Sequence, residues 1–178
     1  MKSLHEIILE KLKIRKSNKP SYNYFPKTKD ELQDLLKKLI KERGNEGDFN
    51  DIDTSKITNM SDLFFTMDKF NGDISNWDVS NVTNMSFMFF ACESFNQDIS
   101  NWDVSNVTSM DNMFFNCNSF NQPLTNWDVS NVTNMENMFN GCGSFNQDIS
   151  NWNVSNVKNN HKIFYNCPIG KKHQPKFK

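Results

Sequence analysis

Three histidines, His5, His161 and His173, are all that this 178-residue chain offers for proton transfer near neutral pH. His161 stands where other copies of a 25-residue repeat carry Ser86, Asp111 and Glu136, a solvated position rather than that of a general base. No serine, cysteine or acid differs from its copies in a way that marks a nucleophile. There is also no glycine-rich phosphate loop. Cys92, Cys117, Cys142 and Cys167 recur at equal intervals, unlike the close Cys-x2-Cys pairs of zinc sites. They align with Met67 in the first copy, so they read as reduced core thiols filling a small apolar position; disulfides between neighbouring copies are the alternative. Catalysis is therefore not expected, nor is a metal or cofactor.

The acids are better placed for recognition. Asp53, Asp78, Asp103 and Asp128 recur at one position of the repeat, with Asn153 as the last member. A second column, Asp48, Asp73, Asp98 and Asp148, is interrupted at Pro123. Carboxylates stacked one per repeat repel their neighbours by about 1 kcal/mol even in water. Two explanations stay open: each Asp caps nearby backbone N–H groups, or the column is an acidic face for a basic partner. Calcium needs six or more oxygens converging on a point, and a linear column supplies too few.

The elements that must position these residues follow from the repeat. Trp77, Trp102, Trp127 and Trp152 keep the 25-residue interval, as do Phe64, Phe89, Phe114, Phe139 and Phe164. A worn copy places Phe49, Ile52, Ile57 and Met60 where the next has Ile74, Trp77, Val82 and Met85, giving five copies between Phe49 and Cys167. Within one copy, Trp77-Asp78-Val79 alternates as a short strand does, which puts the Asp column at the strand centre. Met85, Met88 and Phe89 follow at helical spacing. Each Trp alternates with Asp and is replaced by Ile52 in the worn copy, favouring a core position over a sugar-binding ladder. The sequons at Asn81, Asn106 and Asn131 are products of repetition. One unit cannot bury its aromatic face alone, whereas stacked units with strands about 4.8 Å apart can.

The ends differ from the middle. Seven of nine Leu precede residue 40. Thr28 and Glu31 form a capping box, Gly44 supplies a stop, and Leu32, Leu35, Leu36, Leu39 and Ile40 make one stripe, so a helix is predicted over 28–43. A weaker helix is predicted over Leu4–Ile14, with the Tyr22, Tyr24 and Phe25 loop between them. Residues 168–178 are too polar for another copy and read as a frayed basic tail. The expected organisation is an N-terminal helical cap (1–47), a repeat body (48–167) and that tail. Residues 1–44 balance to +6, residues 45–165 to −11 and residues 166–178 to +4, an acidic body with basic ends.

The text ISNWDVSNVTNM, followed by the Met-Phe and Cys positions and FNQD, resembles the repeat of BspA-like leucine-rich-repeat surface proteins over residues 49–167. The resemblance implies an α/β repeat solenoid, leucine-rich-repeat-like, with five short parallel strands and short helices on the opposite face. Family members are usually exported and bind host or matrix proteins. This sequence shows no signal peptide, lipobox cysteine or wall-anchoring tail, so a cytoplasmic location is expected. The expected function is a non-catalytic, monomeric protein-binding scaffold. Its acidic strand face (Asp53, Asp78, Asp103, Asp128, Asn153) would engage a basic protein surface, without direct nucleic-acid or membrane binding. Two alternatives accompany it: a cytoplasmic inhibitor of a nucleic-acid-handling or defence enzyme, and an exported adhesin.

Overall fold

In a computed structural model of the chain, residues 21–177 are described; the helix predicted over Leu4–Ile14 lies outside them. Helix α1 spans Lys29–Arg43. The Thr28 hydroxyl accepts the Glu31 N–H at 3.2 Å, and the Glu31 carboxylate accepts the Lys27 N–H at 2.7 Å. Gly44 ends the helix at φ 80°, where a side chain would be strained, and donates its N–H to Ile40. Leu32, Leu36 and Leu39 are fully buried in one core with the repeat residues.

The repeats are not strand-and-helix units. Among the described residues there are α1, a 3-10 helix at Lys171–His173 and isolated parallel bridges, but no strand. The expected α/β solenoid with five parallel strands is thereby overturned. Around Trp77 and Val79 the chain keeps turning: the Trp77 N–H closes on Ile74 O and the Val82 N–H on Val79 O. Too few extended residues lie between these turns to form a ladder.

The predicted helical turn is replaced by a ribbon of linked turns. The N–H groups of Met85, Phe87, Phe89 and Ala91 leave the copy and reach the carbonyls of Ser109, Asp111, Met113 and Phe115 in the next. Those of Met88, Phe90 and Cys92 close locally on Met85, Phe87 and Phe89. The carbonyls of Ser86, Met88 and Phe90 accept from Asp62, Phe64 and Thr66 of the preceding copy. Backbone donors and acceptors are thus satisfied alternately within and between copies, which substitutes for a helix or sheet. Such turns need a left-handed residue every fourth or so position. Phe87 (φ 58°), Ala91 (φ 56°), Asn112 (φ 56°), Asn116 (φ 55°), Asn137 (φ 52°) and Gly141 (φ 74°) supply it.

Aromatic columns run through the stack. Equivalent rings step by 4.8 and 4.7 Å in the outer ribbon column Phe65, Phe90 and Phe115. They step by 5.3–5.9 Å in the Phe64 to Phe164 column and by 5.8–6.1 Å in the Phe70 to Phe145 column. Trp127 and Trp152 are 6.5 Å apart. Equivalent rings thus stack copy on copy, most closely in the outer ribbon column. The Trp rings are inside, each Nε1–H donating to a carbonyl of the preceding copy, as Trp102 does to Ile74 at 3.2 Å. The C-terminal segment is not frayed: Ile169 and Pro175 are buried, and the Ile149 N–H donates to His173 O at 3.0 Å.

Candidate functional site

The five residues of the expected binding column do fall in one repeating position, but that position opens a turn. Oδ1 of Asp53, Asp78, Asp103 and Asp128 accepts the N–H of the serine two residues on at 3.0, 3.0, 3.1 and 3.0 Å. Asn153 makes the same bond to Ser155 at 3.2 Å. The Ser80 and Ser105 hydroxyls add 2.6 Å bonds to their aspartates. Hydrogen bonds from the Ser130 hydroxyl and N–H hold the Asp128 carboxyl below the ordinary range. These are Asx turns, so the backbone-capping role is present in this column. It uses one oxygen of each side chain. Asp103, Asp128 and Asn153 are exposed, and Asp53 and Asp78 half-buried.

The second column caps in the same way. Asp48 accepts from Asn50, and Asp73, Asp98 and Asp148 accept from Ser75, Ser100 and Ser150, at 2.8–3.0 Å. For Asp73, burial pushes the carboxyl pKa up, but the bonds from Ser75 and Asn50 outweigh it and leave it below the usual value. A third Asx column, Asn59, Asn84, Asn134 and Asn159, was not anticipated. Neither were the amide ladders that tie the copies together. Asn81, Asn106, Asn131 and Asn156 donate side-chain N–H to Ser55, Ser80, Ser105 and Ser130 at 2.7–3.0 Å. Oδ1 of Asn71, Asn96 and Asn121 accepts the N–H of Asn96, Asn121 and Asn146. Recurrence of the same amide in most copies was the available signal. The amides of the three sequons are among these structural groups.

The basic N-terminal part meets the acidic face at its first copy. Tyr24 pairs with Ile52 as an isolated parallel bridge. The Tyr22 phenol pKa is raised, first by burial and then by the charges of Asp53 and Asp78. Arg43 grips Asp51 with both terminal nitrogens at 2.7 and 3.0 Å, donates to Asp48 O at 2.6 Å and lies over the Tyr24 ring.

The thiols are chemically quiet. Burial pushes the Cys92 pKa up to about 12 and those of Cys117 and Cys142 well above the ordinary value. Each of these thiols donates to a carbonyl of the preceding copy, at 3.0, 2.8 and 2.8 Å. A last surface feature was missed although its 25-residue spacing is plain. Phe65 is 44% exposed and Phe90 and Phe115 are half-buried, stacked face to face so that ring edges point outward. Phe90 is covered on both faces by Phe65 and Phe115, and the three rings together make an apolar strip.

The fold and its ordered surface columns define a stack of 25-residue, turn-built repeats. The chain belongs to the family described as "Mycoplasma protein of unknown function, DUF285", whose model matches residues 32–130 and 101–169. No curated protein and no solved structure matches it.

Proposed function

We propose that this protein is a non-catalytic binding scaffold whose acidic turn face, Asp53, Asp78, Asp103, Asp128 and Asn153, engages a basic surface on another protein. One observation carries the reading: four copies fix an Asp, and the last copy Asn153, by Oδ1 on the backbone, so a line of oriented side chains is held on the surface. Pre-organisation of this kind lowers the ordering cost of association. The concentration of negative charge in residues 45–165 gives the field that would steer a basic partner. Resemblance of the repeat to BspA-like surface proteins supports binding as the role.

The test uses a fluorescent oligolysine peptide and the full chain at low and moderate salt. Changing Asp78, Asp103 and Asp128 together to Asn should weaken binding roughly tenfold at low salt and flatten its salt dependence. Folding should be preserved, because Asn153 already makes the same backbone bond. A control that neutralises Glu46, Asp68 and Glu93, all exposed, should bind like the parent. Equal loss in both variants, or none in the first, would refute a specific acidic face.

A further inference from the structure

At each internal junction of the ribbon, four N–H groups of one copy meet four carbonyls of the next. Met135, Asn137, Phe139 and Gly141 donate in this way to Asn159, His161, Ile163 and Tyr165. The same positions of the last copy are Asn160, Lys162, Phe164 and Asn166. Among the described residues, none of these four N–H groups has an acceptor. Their local turns are nevertheless intact, with Ile163, Tyr165 and Cys167 closing on Asn160, Lys162 and Phe164 at 3.2, 3.0 and 3.2 Å. The donors are therefore held in the internal geometry with no described residue opposite them. The C-terminal segment covers the other half of this end, through Ile169, the Ile149–His173 bond and the bond from Gly170 N–H to Asn146 Oδ1. On the ribbon half Phe164 is only half-buried and Tyr165 is 57% exposed. Lys162 lies over the Tyr165 ring on this half and Lys158 precedes the first of the four donors, both exposed, two positive charges on an acidic body.

The geometry points to this open edge as a second docking surface, which takes an acidic polypeptide segment as a sixth rung of the ribbon. Carbonyls of the incoming chain accept from Asn160, Lys162, Phe164 and Asn166, one of its apolar side chains covers Phe164, and its carboxylates meet Lys158 and Lys162. This is addition of a segment to an unpaired backbone edge, with the donors supplied by turns rather than by a strand. A second copy is not the chosen occupant: two such edges present only donors to each other, and at the opposite end of the stack the side chains of Leu63 and Phe64 are buried in one core with α1. The surface is separate from the acidic turn face and takes a partner of opposite charge.

A suitable probe is an acetylated, amidated peptide of residues 109–117 carrying Cys117→Ser, since Ser109, Asp111, Met113 and Phe115 are the carbonyls that accept inside the stack. Titrated into isotope-labelled full chain, it should shift the amide resonances of Asn160, Lys162, Phe164 and Asn166 in a saturable way. It should also slow their hydrogen exchange by about tenfold or more. A peptide with Asp111→Lys should bind at least several-fold more weakly, as should the parent peptide to K158E/K162E, whose melting temperature checks that it is folded. No shift at these amides up to about 1 mM peptide, or shifts centred on Phe65 and Phe90, would overturn the proposal. Concentration-dependent slowing of the same four amides without peptide would overturn the choice of occupant in favour of self-association.

Discussion

The two ends of the stack carry the same repeat and finish it differently. At the N-terminal end α1 lays Leu32, Leu36 and Leu39 into the core, and Arg43 locks the junction through Asp51, Asp48 and the Tyr24 ring. At the C-terminal end a short polar segment covers the side near Ile149, and no described residue covers the ribbon side. Burial changes accordingly. Phe64, Phe89, Phe114 and Phe139 are fully buried, whereas their last equivalent, Phe164, is not. A repeat therefore has no fixed worth. Its contribution depends on whether something stacks on its far side.

The comparison can be broken first with one substitution made at two copies. Phe114→Ala should destabilise by about 3–5 kcal/mol, because ring contacts on both sides are lost and a cavity is left. Phe164→Ala should cost about half as much or less, its outer side contributing little burial. Equal losses in denaturant unfolding would show that the C-terminal end is as well covered as the middle.

The Arg43 lock sharpens the other end. Arg43→Ala removes a two-nitrogen grip on a carboxylate and should cost about 2 kcal/mol. It also sets a pH dependence. The hydrogen bond from Arg43 holds the Asp51 carboxyl below its usual range, against burial, which acts the other way. A depressed carboxylate contributes fully above its unfolded value of about 3.9 and loses that contribution as pH falls through the folded value. Melting temperature should therefore drop below about pH 4, and less steeply in Arg43→Ala. A parallel drop in both proteins would assign the acid sensitivity to the Asx-turn aspartates alone.

Much of this was legible from residue types. Every apolar position used to align the worn copy, Phe49, Ile52, Ile57 and Met60, is buried. Thr28 and Gly44 bound α1 as their chemistry requires. Its conformation inside the repeat was not legible from spacing alone. Met85, Met88 and Phe89 fall on one side of a helical turn and equally on one side of a chain of tight turns. The discriminating residues were Asn112, Asn116, Asn137 and Gly141, poor choices for a helix interior but suited to positive φ; Phe87 and Ala91 masked that pattern. The Asp column misled in a similar way. Trp77-Asp78-Val79 alternates like a strand, while the serine two residues after each Asp is the mark of an Asx turn. At the C-terminal end, Ile169 and Pro175 anchor a segment whose lysines made it look too polar to fold.

The ribbon of linked turns is tested most directly at Ala91, by a substitution whose effect changes sign with the backbone. Ala91 sits at φ 56°, the copy position that Gly141 fills at φ 74°. In a helix, Ala91→Gly would lose about 1 kcal/mol. At positive φ the same change relieves left-handed strain of about 1–2 kcal/mol, partly offset by the greater freedom of glycine in the unfolded chain. Ala91→Gly in the full chain should therefore unfold at higher denaturant with an unchanged slope, a gain of up to about 1 kcal/mol. A loss of about 1 kcal/mol would contradict the ribbon and restore the helix.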